Sequence, residues 1–278
     1  MGPLHKPLFV LGVGAQKAGT SFLYKLLQSA DQVRLSELKE MHVFDRAFLP
    51  AAVVQEWSRM PRLSMFRQAL RQEATAWRRS LPNPARMAGN FEKYVMYFRR
   101  LSEGVAATGE ITPSYAMLEA DHFRQIRDLL SPHFDMRIIF FMRDPIDRMF
   151  SQMKMHQTLG TIPSAEIAFA RDFSRPFVER RTRYENTIRA LEGAFPKEQI
   201  HYGLYESFFL EKNTGALKEF LGLEIPDTKF GTRVNASYEG RIANTDDIAR
   251  VRSYFDETYR FCAARFGDGV LKKYWKYY

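Results

Sequence analysis

A single cysteine, Cys262, stands in a chain of 278 residues. No intrachain disulfide can form, so a core must hold the fold, and a reducing compartment is the natural home. The place of Cys262 in a helical apolar pattern predicts a small buried side chain. No apolar run approaches the length of a membrane span, and the first residues lack the charged segment, apolar stretch and cleavage site of a secretory signal. The expectation is a cytoplasmic protein. No group of His, Cys and Asp has metal-ligand spacing, so no metal is expected. No repeat, low-complexity tract or clear linker divides the chain, which reads as one domain over residues 1–278.

With 45% hydrophobic and 26% charged residues, the chain has the composition of an ordinary globular protein. Its 41 Lys and Arg against 32 Asp and Glu give a net charge of +9, which favours anionic ligands or surfaces. Nucleic acid is not the expected partner, because the arginines are scattered and no helix-turn-helix, zinc-finger or RNP signature is present. Residues 57–79 interleave Arg59, Arg62, Arg67, Arg71, Arg78 and Arg79 with Trp57, Leu63, Phe66, Leu70 and Trp77. That pattern suits contact with a membrane surface, and it equally suits a helix with a solvated basic face.

The most informative stretch is an apolar run, Leu8 to Val13, that enters Gly14-Ala15-Gln16-Lys17-Ala18-Gly19-Thr20-Ser21 and then an amphipathic segment, Phe22 to Leu27. A buried strand, a Gly-rich loop and a helix start together point backbone N–H groups at an anion. The spacing is close to G-x-x-x-x-G-K-[ST], but Thr20 occupies the lysine position and Lys17 lies inside the loop. A nucleoside triphosphatase needs that lysine on its β/γ-phosphates and a Ser/Thr on Mg²⁺, so the displacement fits a shorter phosphate chain. The plainer alternative is that the glycines only permit a tight turn.

A second buried-strand run, Arg137 to Met142, ends in Arg143-Asp144-Pro145 and a helix containing Arg148 and Ser151. Pro145 suits a first helical turn. Arg143 then leaves the carboxyl end of a strand, the edge where open α/β sheets bind ligands, and its forked donors suit a phosphate. Ser151, two helical turns inward, is compatible with the same phosphate.

Between these stretches, a short strand at Val33–Ser36 precedes Lys39-Glu40-Met41-His42-Val43-Phe44-Asp45. If residues 40–44 are extended, Glu40, His42 and Phe44 share one face. A positioned carboxylate beside an imidazole suits general-base work, and a surface Lys-Glu pair with a backbone-bonded histidine is the ordinary alternative. Further along, strands are expected at 106–110 and 199–204, a helical stretch at 163–195 with Tyr184, Ile188, Leu191 and Phe195 on one face, and a helix at 214–221 closed by Gly222. A polar loop, Val234 to Arg241, precedes a long helix carrying Ile248, Val251, Phe255, Tyr259 and Cys262 on one stripe.

The loop K-x-G-T-S, the segment K-E-x-H-x-F-D, the run G-E-I-T-P-S-Y from Gly109 to Tyr115, the R-D-P-x-x-R-x-x-S arrangement from Arg143 to Ser151 and the late Tyr205-Glu206 pair resemble sulfotransferases that use 3′-phosphoadenosine 5′-phosphosulfate (PAPS). The likeness runs from about Phe9 to Arg241 and includes heparan-sulfate-type and bacterial members. It implies that Gln16, Lys17, Ala18, Gly19, Thr20 and Ser21 hold the 5′-phosphosulfate, with Lys17 on the bridging oxygen of the leaving group. It implies Glu40 as catalytic base, with His42 and Asp45 lining the acceptor side. Arg143 and Ser151 would hold the 3′-phosphate, joined by Arg241. Two departures stand out: Ile111 where some heparan-type members carry lysine, and Glu239 where a basic residue is usual.

The expected fold is α/β, a three-layer sandwich with a mainly parallel central sheet, P-loop-like. The expected activity is sulfuryl transfer from PAPS to a hydroxyl or amine of a carbohydrate, lipid or small-molecule acceptor. Residues 46–90, with prolines at 50, 61, 82 and 84, are the candidate acceptor-covering insertion. The competing readings are an atypical P-loop kinase and a non-catalytic basic protein that binds nucleotides or polyanions.

Overall fold

The computed structural model describes residues 6–51, 53, 83–211, 214–226 and 244–278. Five strands form one sheet: β1 (Leu8–Gly14), β2 (Val33–Leu35), β3 (Ala107–Ile111), β4 (Asp135–Met142) and β5 (Ile200–Leu204). Their order is β2-β3-β1-β4-β5, and every pairing is parallel. Parallel strands need both faces covered, and the burial agrees: Phe9 to Gly14 and Ile138 to Met142 are buried without alternation. This explains why the two apolar runs are continuous in sequence.

Helices supply the outer layers. They are α1 (Thr20–Gln28), α2 (Phe44–Phe48), α3 (Pro84–Ala88), α4 (Phe91–Leu101), α5 (Ala120–Leu130), α6 (Pro145–Thr158), α7 (Ala165–Asp172), α8 (Pro176–Glu179), α9 (Tyr184–Glu192), α10 (Tyr205–Leu210), α11 (Gly215–Leu221), α12 (Thr245–Tyr254), α13 (Asp256–Phe266) and α14 (Asp268–Tyr274). Helix α4 sets Tyr94 and Phe98 against Phe9 of β1, whose ring meets that of Phe98 edge-on at 4.8 Å. Helix α9 sets Tyr184 against Phe140 of β4. Tyr184, Ile188, Leu191 and Phe195 are all buried, as their spacing requires, and Cys262 is buried in α13.

Three local expectations are corrected. Residues 40–44 are not a strand: the chain turns through His42, whose φ is 53°, and Phe44 starts α2. The tertiary bonds of this segment, described below, outweigh its apparent alternation. The stretch 163–195 is three helices, because Pro176 has no N–H to continue α7 and the turn at 180–183 is held by buried Arg181 and Thr182. The long helix after Asn244 is interrupted at Phe255, which stays buried between α12 and α13. Gly222 does close α11 in a left-handed conformation.

Arg241, Glu239, the basic segment 57–79 and most of the 46–90 insertion lie outside the described residues. Among the described residues no helix is long and apolar enough to cross a membrane.

The strand order positions the site. From β1 the chain passes to β2 on one side of the sheet, and from β4 it passes to β5 on the other. The carboxyl ends of these adjacent strands therefore open the crevice where doubly wound sheets take ligands. Gly14 and Met142, followed by Arg143, stand at that edge.

Candidate active site

The Gly-rich loop leaves β1 and is pinned to β4 by the Ala15 N–H, which donates to the Phe141 carbonyl at 2.5 Å. Gly19 caps α1 in a left-handed conformation, φ 82°, with no side chain bonded to the cap. A Cβ at Gly19 would lie 2.7 Å from the Phe209 ring and 3.1 Å from that of Tyr205, so both backbone and space demand glycine. The first amides of α1 have no acceptor inside the helix and carry the positive end of its dipole. Ala18 and Thr20 are buried, while Gln16, Lys17 and Ser21 are half-buried. Gln16 accepts a hydrogen bond from Arg181 at 2.7 Å.

Arg143 arrives from β4 beside this loop. Its guanidinium donates to the Lys17 carbonyl at 3.4 Å and lies 4.8 Å from the centre of the Tyr205 ring. Its Nε is buried with no hydrogen-bond partner among the described residues. Ser151 is buried too, and its Oγ is likewise without a partner. Burying polar atoms unpaired is costly. Their presence on one helix-start arginine and the serine two turns along it fits an anion bound between them.

Asp144 secures this wall. It caps α6 by accepting from the Ile146 and Asp147 amides, and it also accepts from the Tyr259 hydroxyl and from the Tyr277 amide at 2.7 Å. Burial, partly offset by these bonds, pushes its carboxyl up to about 6. Glu206, which accepts from the Asp144 amide at 2.9 Å, is pushed up to about 8 by burial. Among the described residues buried Arg148 has no carboxylate in contact; it donates to Gln152 and Thr182, and burial lowers it to about 10. It ties α6 to the 180–183 turn.

On the other side, at the end of β3, lies a carboxylate and imidazole cluster. His42 Nε2 is 3.2 Å from Glu40 Oε2, and His42 Nδ1 is 2.7 Å from Asp45 Oδ2. Ser114 also donates to Asp45. Burial would lower the pKa of His42, but Asp45 and Glu40 together raise it. Burial would raise Asp45, but His42, Ser114 and the Arg46 amide hold it below the usual range. Glu40 Oε1 is 2.8 Å from the Lys39 ammonium, which lies 3.5 Å from Thr20 Oγ1 of the donor-side loop.

This cluster stands on Glu110. Its carboxylate accepts from Tyr94 at 2.5 Å, Tyr115 at 3.0 Å, Thr112 at 2.5 Å and the Met41 amide at 3.3 Å. Burial still pushes it up to about 7. Tyr115 Oη accepts from the Val43 amide at 3.1 Å, and the Ile111 amide donates to the Lys39 carbonyl at 3.3 Å. The left-handed turn at His42 is thereby fixed. Among the described residues, the two non-glycine residues with positive φ are Lys17 and His42, one on each side of the crevice. Strained backbone of this kind persists where surrounding structure over-determines it, often at functional sites.

The sequence-predicted residues thus fall into two groups at one sheet edge: Gln16 to Ser21 with Arg143, and Glu40 with His42 and Asp45; Ser151 lies buried within α6, two turns on from Arg143. Phe44 does not share the His42 face; it packs among Phe48, Phe91, Tyr94 and Tyr115. The roles of Glu110, Lys39, Arg181 and the Tyr205–Phe209 wall were not anticipated. Gly19 carried a signal for that wall, since an obligatory glycine implies something close. Among the described residues no group of three or more His, Cys, Asp and Glu side chains could hold a metal ion.

The family model described as "Sulfotransferase family" matches residues 7–227. A search of curated proteins finds no match. Among solved structures, the chain is similar to a sulfotransferase from Alicyclobacillus acidocaldarius, with 19% identity, a TM-score of 0.62, and coverage of 92% of this chain and 94% of that one. The sulfotransferase domain of the Synechococcus PCC 7002 olefin synthase aligns at 14% identity and TM-score 0.44, over 91% of this chain and 97% of the other. At these identities the first likeness speaks for the fold.

Proposed function

Because the chain belongs to the sulfotransferase family, we propose that it moves a sulfuryl group from PAPS to a hydroxyl or amine of a carbohydrate, lipid or small-molecule acceptor, working as a single domain. The observation that carries this reading is the Lys39 ammonium, 2.8 Å from Glu40 and 3.5 Å from Thr20. It puts a carboxylate within one side chain of an anion-binding helix start.

In this reading the loop amides and Lys17 hold the 5′-phosphosulfate, while Arg143 and Ser151 take the 3′-phosphate with the two polar atoms that have no partner among the described residues. Arg241 is proposed to complete that phosphate site. The Tyr205 and Phe209 rings, tilted 45° to each other beside Gly19, give this side an aromatic lining suited to a nucleotide base. Glu40 takes the proton of the acceptor hydroxyl as its oxygen forms a bond to sulfur. The bond from sulfur to the bridging oxygen breaks, and its electron pair stays on the 5′-phosphate. Fixed donors at Lys17 and the helix start act where that charge grows, which is where they help most. His42, held by Asp45, keeps the Glu40 carboxylate oriented. The 46–90 insertion is proposed to cover the acceptor.

Incubation with sulfur-labelled PAPS and a panel of phenols, sugars and alcohols, in the presence of a chelator, tests the reading. Label should pass to at least one acceptor with release of 3′-phosphoadenosine 5′-phosphate. ATP-dependent, Mg²⁺-requiring labelling of the same panel from γ-phosphate, with none from PAPS, would instead establish a kinase.

A further inference from the structure

The proposed function gives Lys39 no task, yet its side chain touches both halves of the site. Its backbone is fixed, because its carbonyl accepts from the Ile111 amide and the next amide but one, that of Met41, is bonded to Glu110 and Thr112. Its side chain is only 20% exposed. From this anchor the ammonium reaches Glu40 Oε1 at 2.8 Å and Thr20 Oγ1 at 3.5 Å. An ammonium has three donors on a flexible stem, so it can exchange one acceptor for another at little cost.

The arrangement has a chemical consequence for Glu40. Lys39 holds one carboxylate oxygen and His42 faces the other at 3.2 Å. A carboxylate oxygen that already accepts from an ammonium is less available to take a proton from another group. Thr20 begins α1, where an anion is drawn to the helix N-terminus. An anionic group arriving there lies within reach of the same ammonium.

Resting on the sulfotransfer reading, we propose that Lys39 is a shared cation: it pairs with Glu40 when the loop is empty and shifts to a sulfuryl oxygen of the bound donor. The shift does two things at once. It places a second positive charge, besides Lys17, on the group being transferred, and it takes the ammonium off Glu40 Oε1. The ammonium therefore leaves the carboxylate only when the donor is in place. His42 remains on Oε2 and keeps the carboxylate aimed.

The experiment compares the affinities of PAPS and 3′-phosphoadenosine 5′-phosphate by calorimetry, without acceptor, because their ratio isolates contacts to the sulfuryl group. Lys39→Met should lower the ratio about fivefold, the scale of a partly exposed ion pair, and Lys39→Arg should restore most of it. Glu40→Gln, by releasing Lys39, should raise the ratio by up to about fivefold in the wild-type background and leave it unchanged when combined with Lys39→Met. A Lys39 that merely braces the loop would shift both nucleotides alike. An unmoved ratio in Lys39→Met, or an equal effect of Glu40→Gln in both backgrounds, overturns the shared-cation proposal while leaving sulfotransfer standing. Failure of the wild type to bind either nucleotide overturns both.

Discussion

The two walls of the crevice are built on opposite principles. On the side of β4 and the Gly-rich loop, Arg143 Nε and Ser151 Oγ are buried without partners among the described residues, and Gly19 leaves room for nothing larger. On the side of β3, hydrogen bonds converge: Glu110 accepts from four donors, His42 is spanned by two carboxylates, and Asp45 is held by His42, Ser114 and a backbone amide. In the proposed reading the first wall is completed by a ligand, while the second already holds its proposed base through bonds among the described residues. A donor site must admit and release a nucleotide, whereas a base must already be aimed when the acceptor arrives.

The sharpest way to break this comparison is to remove the reactive group alone. Glu40→Gln should reduce the rate of sulfuryl transfer by about 10²–10⁴-fold, the usual contribution of a positioned base. Its affinity for 3′-phosphoadenosine 5′-phosphate should stay near wild type, because the proposed nucleotide site is on the other wall. Wild-type turnover in this variant would move the base to His42. Gly19→Ala attacks the first wall instead. With φ at 82° and ring atoms 2.7 Å from the new methyl, it should cost about 1–3 kcal/mol in loop strain and overpacking. The measurement is nucleotide affinity, which should fall at least tenfold; unchanged binding would mean the loop does not hold the ligand.

A smaller effect separates the walls by pH. Glu110, Asp144 and Glu206 all have folded values raised by burial, to about 7, about 6 and about 8. The folded chain therefore binds more protons than the unfolded one between the ordinary carboxylate range and these values. Stability should fall as pH rises from 5 to 8, at most by roughly 1.4 kcal/mol per unit for each group. His42, also raised, adds to the same trend, since its contribution is lost as pH climbs through its folded value. Asp45, lowered, loses its contribution only in acid. Thermal melts should show Glu206→Gln flattening the curve above pH 7 and Glu110→Gln flattening it below. Parallel curves for all three proteins would remove burial of these carboxyls from the account.

Much of the first wall was legible in the sequence, and much of the second was not. Strands β1 and β4 are continuous apolar runs because both their faces are covered, so their ends, and with them Gly14 and Arg143, could be located by inspection. Pro145 marked the start of α6, and Ser151 followed from helical spacing. The turn at His42 was not legible, and an extended stretch was only one option there, because the groups that bond it, Tyr115, Thr112 and Glu110, lie about 70 positions away. Glu110 itself looked like one more strand residue. Its function as a buried hub depends on Tyr94, Thr112, Tyr115 and Met41 meeting at one point, which no local pattern encodes. Gln16 was placed in the loop correctly, but its partner Arg181 lies 165 positions along the chain.

The central claim is that the first wall takes a nucleotide with a 3′-phosphate. Calorimetric titration with 3′-phosphoadenosine 5′-phosphate, without Mg²⁺ and with ATP as control, tests it on the wild type and on Arg143→Ala. The account predicts binding of the bisphosphate in preference to ATP, weakened about tenfold to hundredfold by the substitution, as expected for losing charged hydrogen bonds to a phosphate. Preference for ATP, or bisphosphate affinity indifferent to Arg143, would contradict it.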